Sequence, residues 1–305
     1  MNTQTKIIKI TDEEAEERLD VFLSSIFSEY SRSKIQKLIG DEKILVNDKQ
    51  TKNSYKLREN DVIKIFDEEE ISTIEPENIP LDIRYEDENL LVVNKPKNML
   101  THPTANEKKG TLVNALLWHY EKLSDVNGKI RAGIVHRLDR NTTGLLLVAK
   151  NNFAHEFLYE QIKNRNITKK YLAIVHGVLK EDEGEINAPI ARNPKHPEKM
   201  CVLTNGKPSL TRFKVLERFE NQTYVELNLI TGRTHQIRVH MAHIGHPIVN
   251  DSLYSNIKFK AKTTEQVLQS YSLTFCKPSD NNIVKIEIPP DDDIEKVLRY
   301  LRSKK

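Results

Sequence analysis

The sequence predicts an α+β protein made of a small N-terminal module and a larger mixed domain. Three observations carry that prediction. Helical apolar spacing is crowded into residues 14–39, short apolar or alternating runs that read as strands follow from residue 44, and an acidic stretch with two prolines separates two patterns near residue 70. A chain of 305 residues is long enough for one large domain and a small one. With 38% hydrophobic and 30% charged residues, it has the composition of a folding chain.

In the module, Leu19, Phe22, Leu23 and Ile26 recur at helical spacing, and Ile35, Leu38 and Ile39 do so again after Ser31-Arg32-Ser33. Either serine can cap the second helix and leave free N–H groups for a phosphate. Ile44-Leu45-Val46 reads as a strand, Asn47-Asp48 as a turn, and Val62 to Ile65 as a later strand. Residues 29–64 hold nine Lys or Arg against six Asp or Glu, whereas residues 11–30 hold seven acids and one arginine. Charge is therefore sorted along the module, with Arg32, Lys34 and Lys37 beside the expected helix start. A solvated helix face accounts for those three equally well.

The module is expected to span residues 14–68, a linker 69–80 and the larger domain 81–305. In the large domain, residues 89–93 read as a buried strand ended by Lys95-Pro96, and Thr111 caps a helix carrying Leu112, Ala115 and Leu116. Gly144 to Ala149 forms another apolar strand, and residues 152–164 suit a helix. Residues 171–175 and 223–229 read as strands, and 291–303 as a terminal helix.

Several functional classes are excluded early. A net charge of +3 is only mildly basic, so a nucleic-acid surface must be local. Apolar runs as short as that at 145–149 span no membrane, the first residues lack a secretory core, and a cytoplasmic protein is expected. Two cysteines, Cys201 and Cys276, make no disulfide framework or metal cluster. Nucleotide-binding glycine loops, a GxSxG elbow and an HExxH helix are absent. His235, His240, His243 and His246 match no tight ligand spacing, so neither metal nor cofactor is expected.

Chemistry concentrates in two segments. Asp139 lies in the polar loop DRNTTG immediately before an apolar strand, where a carboxylate can act as nucleophile or base. A turn-forming Asp paired with Arg137 or Arg140 fits the same spacing. Residues 131–171 hold eight Lys or Arg and three acids, a phosphate-facing balance. The second segment is TGRTHQIR at 231–238. Gly232 permits a turn, Arg233 is expected at a helix start, and its guanidinium can orient Asp139 by two hydrogen bonds. Ile237, four residues on, would share that face as an apolar wall; ordinary packing explains it as well, and Arg233 can equally hold a phosphate. Tyr171 opens a strand and can stack on a base or serve the core.

Taken together, these segments resemble known families. Residues 14–66, with Arg18-Leu19-Asp20, Ser31-Arg32-Ser33, Val46-Asn47 and Asp61 in order, resemble the S4 RNA-binding domain. From residue 81 onward, Asn94-Lys95-Pro96 with His102-Pro103, HRLDRNTTG at 136–144, KKYLAIVHG at 169–177 and TGRTHQIRVHMAHIGHPIVND at 231–251 resemble the RluA-type pseudouridine synthases. Asn98 replaces the family's usual Gly and Thr143 its frequent Ser. The resemblance implies a catalytic domain with a mixed or antiparallel sheet. It implies Asp139 as catalytic aspartate, Tyr171 as active-site tyrosine, Arg233 as ion-pair partner to the aspartate and Ile237 as an apolar contact. Arg137 would enter the space of the displaced nucleotide, and His136 and Arg140 would join it in binding substrate. Arg32, Lys34 and Lys37 would contact RNA.

The expected activity is isomerisation of uridines to pseudouridine in structured RNA, with large-subunit ribosomal RNA or a ribosome precursor favoured over transfer RNA. No cofactor is needed, and a monomer is expected. A noncatalytic RNA-binding assembly factor would not need Asp139 or Tyr171. A glycoside or nucleoside hydrolase of the common scheme would need a second carboxylate that the recognisable blocks lack.

Overall fold

The computed structural model describes residues 4–10, 15–27, 30–67, 74–104, 107–127, 129–196, 198–261, 263 and 265–304. They form two compact units, 1–73 and 74–305.

The first unit contains β1 (Gln4–Lys9), α1 (Leu19–Ile26), α2 (Arg32–Gly40), β2 (Ile44–Val46) and β3 (Val62–Asp67). β3 lies between β1 and β2, antiparallel to both. Leu19, Phe22 and Leu23 of α1 pack with Ile35 and Ile39 of α2 in one apolar cluster that the strands complete through Ile44 and Ile63. Ser31 is the serine that caps α2, accepting from Lys34 N–H at 3.2 Å. Asn47 and Asp48 turn the chain with φ of 52° and 60°.

The second unit contains β4 (Ile83–Glu86), β5 (Leu90–Lys95), α3 (Leu112–His119), β6 (Thr143–Ala149), α4 (Asn152–Lys163), β7 (Thr168–His176), β8 (Glu183–Asn187), β9 (Ile190–Arg192), β10 (Met200–Val202), β11 (Leu210–Arg218), β12 (Gln222–Leu229), α5 (Gln236–His243), β13 (Leu268–Cys276), β14 (Ile283–Glu287) and α6 (Asp292–Arg302). Nine strands make one mixed sheet in the order β4-β5-β6-β13-β7-β12-β11-β8, with β14 paired to β13. β9 and β10 form a separate ribbon. Every pairing in the large sheet is antiparallel except β6 with β13. The α+β expectation holds. Helices cover both faces: Leu146 and Val148 of β6 join the cluster containing α3 and α5, while Leu145 and Leu147 join that containing α4. Burial on both sides is why β6 reads as a continuous apolar run.

The stretch expected as a linker at 69–80 is packed from residue 74 onward. Ile74 and Ile79 lie against the core, Asn114 Nδ2 donates to the Glu75 carbonyl at 2.8 Å, and Glu77 N–H donates to the Asn114 carbonyl at 3.0 Å. Two isolated isoleucines make no period, yet they suffice to seat a strap along α3. Residues 69–73 lie outside the described residues.

The middle of the sheet is unusual. β6 and β13 pair over only Thr143↔Gln269 and Gly144↔Ser270. Beyond that point, residues 133–136 take over the free edge of β6. Ala149 N–H donates to Gly133 O at 2.8 Å, and Leu147 N–H donates to His136 Nε2 at 3.0 Å. The chain then turns through 137–142, so that loop emerges where the two halves of the sheet meet. Gly144 makes the crossing possible: its φ is +110°, and a Cβ there would lie 2.1 Å from the Ser270 carbonyl oxygen. Gly144→Ala is therefore expected to cost roughly 2–4 kcal/mol, read as a lowered urea midpoint with unchanged slope.

Candidate active site

The loop ahead of β6 is held from below. Lys95, fully buried at the end of β5, donates through Nζ to the carbonyls of Pro96 (2.8 Å), Met99 (2.9 Å) and Arg140 (3.0 Å). Burial pushes its pKa down to about 7, against the attraction of nearby Asp139. Thr101 Oγ1 donates to the Leu138 carbonyl at 2.9 Å, and Thr142 N–H closes a turn on the Asp139 carbonyl at 3.1 Å. Asn98 adopts φ of 62°, a left-handed conformation that Asn tolerates better than other non-glycine residues. Thr143 donates its hydroxyl to Asp291, the N-cap of α6, at 2.6 Å.

Asp139 is thereby fixed with its side chain 19% exposed, at the base of a cleft shared with Arg137, Tyr171, Arg233 and Ile237. Its ion-pair partner is not Arg233. Arg238 Nη1 donates to Asp139 Oδ2 at 3.2 Å, and the same guanidinium reaches buried Asp251 through Nε (2.7 Å) and Nη2 (2.8 Å). Burial opposes the charge on Arg238, but Asp251, then Asp139, more than offset it and raise its pKa. The correction follows from where the helix begins. α5 starts at Gln236, with His235 in a left-handed conformation as its N-cap, so Arg233 sits on the exposed turn before it. Its Nε reaches only the Pro208 carbonyl, at 3.4 Å. Arg233 and Ile237 thus share a cleft but no helix face. The one sequence signal for Arg238 is its place between Ile237 and Val239; its burial, which makes a counter-charge necessary, emerges only in the fold.

Sequence reasoning also missed Tyr254. Its hydroxyl accepts from Met200 N–H at 2.8 Å and shares a hydrogen bond with His235 Nδ1, also at 2.8 Å. The other ring nitrogen, Nε2, lies 3.9 Å from Asp139 Oδ2. Burial lowers the His235 pKa, so the ring is a neutral neighbour of the carboxylate. The Tyr254 ring also packs under the Arg238 guanidinium at 5.1 Å.

Tyr171 stands across the cleft on β7, buried. Desolvation raises its pKa, and Asp139 adds to this, while a hydrogen bond with Ser270 works in the opposite direction. The phenol is therefore neutral. Leu138, Leu229, Ile237 and Leu268 supply apolar wall. A cavity of about 400 Å³ continues past Arg137, Asp139 and Tyr171 to Lys163, Arg165, Lys169 and Arg233, and Asp139 is the one carboxylate among its described lining residues.

Two expected substrate contacts are otherwise engaged. His136 borders the larger cavity, but its Nε2 accepts the β6 N–H described above; burial, then repulsion by Lys169, pushes its pKa down to about 3. Arg140 turns away to make a two-pronged ion pair with Glu107. Of the histidines in the second segment, His240 spends both ring nitrogens, on Thr211 Oγ1 and the Ala188 carbonyl, each at 2.9 Å. Among the described residues no group of three His, Cys, Asp or Glu is placed to hold a metal.

In the first unit, Arg32 is likewise committed. Buried Asp20 accepts from Arg18 Nε (3.0 Å), Arg32 Nη2 (2.9 Å) and Gln36 Nε2 (2.8 Å), and these bonds, Arg18 foremost, hold its carboxyl well below the usual range. Two arginines on one carboxylate still leave a net positive edge. Lys34 lies over the Tyr30 ring at 4.3 Å, and Lys37 is exposed. Asp61 gathers Asn47 Nδ2, Tyr55 hydroxyl and Arg58 N–H. The motif residues of this module thus organise its fold around two carboxylates.

Known proteins place this architecture in a class. The RNA pseudouridylate synthase family matches residues 89–243 and the S4 domain residues 17–63, and the chain belongs to the RNA pseudouridylate synthase family. It is 43% identical over 297 residues to an uncharacterized RNA pseudouridine synthase of Bacillus subtilis (strain 168), covering 97% of this chain and 98% of the relative. To ribosomal large subunit pseudouridine synthase D of Escherichia coli (strain K12) it is 38% identical over 308 residues, covering 96% and 93%. The solved structure of human RNA Pseudouridylate Synthase Domain Containing 1 matches with a TM-score of 0.58 at 29% identity, over 73% of this chain and 95% of that one.

Proposed function

We propose that this protein isomerises uridines to pseudouridine in large-subunit ribosomal RNA, with Asp139 as the reacting group. The observation that carries the reading is Asp139 itself. It is the single carboxylate among the described residues lining the cleft, Oδ2 is held by Arg238, and Oδ1 has no hydrogen-bond partner among the described residues. Relatives named for the large ribosomal subunit support the substrate. A lone carboxylate also argues against the two-carboxylate glycosidase scheme.

The reaction breaks N1–C1′, turns the uracil and joins C5 to C1′; the C5 proton leaves and N1 gains one. No electrons or groups enter from outside, so the chain's own residues suffice, without a cofactor. A stacked base is out of reach, so the uridine leaves its helix. Exposed Arg137 at the rim fills the gap. The uracil lies between Tyr171 and the Ile237 wall, and Asp139 Oδ1 works at the sugar–base junction as nucleophile or base. Lys34 and Lys37 steer RNA through its phosphates. The setting is a cytoplasmic monomer acting on ribosomal RNA or its precursors. No helix among the described residues is long and apolar enough to cross a membrane.

The direct test is release of tritium from large-subunit RNA labelled at uridine C5, with pseudouridine mapped in the product. Release into water with retained uracil is expected. Failure on both this RNA and transfer RNA, despite tight binding, would point to a noncatalytic factor. In the same assay Tyr171→Phe keeps the stacking ring and loses the proton, so single-turnover rate should fall about 10²–10⁴-fold with little change in RNA affinity.

A further inference from the structure

Lys169 has no role in the chemistry above, and its surroundings are hard to explain without a ligand. It lies on β7 two residues before Tyr171, hence on the same face of the sheet, and it lines the cavity of about 400 Å³. It is only 7% exposed. Its ammonium sits under the turn at Gly232, where an added Cβ would come 3.6 Å from Nζ. Among the described residues it makes no hydrogen bond and no ion pair. Burial alone lowers its pKa, with no carboxylate in opposition, and its charge bears on His136.

Two other lysines sharpen the contrast. Lys170, on the opposite face, pairs with Glu226 at 2.9 Å. Lys95, more deeply buried still, spends its three protons on three carbonyls. Its Nζ opens on the cavity, and a largely desolvated cation with no ionic partner among the described residues is unfavourable in the free protein. The cavity around it is cationic at its rim, with Arg137, Arg165 and Arg233, and wide enough for a ligand group. What completes Lys169 must therefore be an anion carried into the cleft. A uracil carbonyl would leave the charge unneutralised.

We propose that Lys169 is the seat of a phosphodiester of the bound RNA, adjacent to the nucleotide held at Asp139. This rests on the reading that the cleft takes RNA. The lysine stays unpaired in the free protein, so the incoming phosphate supplies its only counter-charge.

The test uses the full chain, Lys169→Met and Lys169→Arg, with a transcribed large-subunit RNA fragment bound across a KCl series. Lys169→Met should weaken binding about tenfold at low salt and lower the slope of log K against log[KCl] by about 0.7–0.9, the share of one phosphate. It should also raise Tm, because the lone buried cation is gone. Lys169→Arg should restore most of the slope. An unchanged slope, or a lowered Tm showing that the fold itself uses the charge, overturns the proposal. Neutral methylphosphonate linkages around the modified uridine give the position. One linkage should weaken the parent about tenfold and leave Lys169→Met unaffected; equal effects on both proteins at every linkage also overturn it. These are binding readouts, independent of turnover. RNA bound with this signature but releasing no tritium would retain the phosphate seat and sink the catalytic reading. Tritium release with an unchanged slope would do the reverse.

Discussion

Asp139→Asn should reduce pseudouridine formation by at least about 10³-fold while changing RNA affinity less than about threefold. The substitution preserves size and removes only the anionic oxygen pair, which nucleophile and base alike require. The fold should tolerate it. Arg238 keeps both hydrogen bonds to Asp251, and the loop is held mainly by backbone contacts from Lys95, Thr101 and Thr142. Stability should therefore shift by no more than about 1 kcal/mol. Single-turnover tritium release with filter binding on the same preparation separates the two effects. Residual activity within tenfold of the parent would remove Asp139 from the chemistry.

Replacing Arg238 tests the other half of the site and should harm fold and activity together. Arg238→Ala leaves the Asp251 carboxylate, in a residue 1% exposed, with two backbone N–H partners among the described residues, and leaves Asp139 without its guanidinium. Removing one member of a buried ion pair costs about 3–5 kcal/mol, visible in urea unfolding. At temperatures where the variant is still folded, activity should remain lost because Oδ2 is no longer held. Arg238→Lys keeps a charge without the planar fork, and should recover stability more than rate. Arg233→Ala is the control. On its exposed turn it should move stability by less than about 0.5 kcal/mol and leave Asp139 in place, acting only through RNA affinity. If Arg233→Ala proves the more damaging of the two, the ion-pair assignment fails.

Why the sequence pointed to the wrong arginine is instructive. The sequence places a turn at Gly232 and a helix start at Arg233, but Gln236 extends the turn, accepting from Thr231 Oγ1 at 2.8 Å and Arg233 N–H at 3.0 Å. Helix start moved by three residues, and with it the inward-facing cation. Arg32, Arg140 and His136 failed as free contacts for a related reason: their partners Asp20, Glu107 and Leu147 N–H meet them only in three dimensions. Asp139, Tyr171, Arg137 and Ile237 do converge on one cleft. Strands buried on both faces, β5, β6 and β7, were legible from apolar runs. β8 and β14 alternate toward solvent with few buried positions, and β13 carries buried Gln269, Ser270 and Ser272 that erase its pattern. β1 gains its identity only from β3, more than fifty residues away.

The two-residue pairing of β6 with β13 gives the cleft around Asp139 a mechanical character. Asp139 is carried by the β4–β5–β6 part of the sheet, whereas Tyr171 and Arg238 belong to the part beyond β13. The ladder has its fewest rungs where Asp139 faces Tyr171 and Arg238. A methyl group added at Gly144 would press on the Ser270 backbone across that junction. In this molecule the alignment of Asp139 with Tyr171 and Arg238 depends on how the two parts of the sheet close on each other.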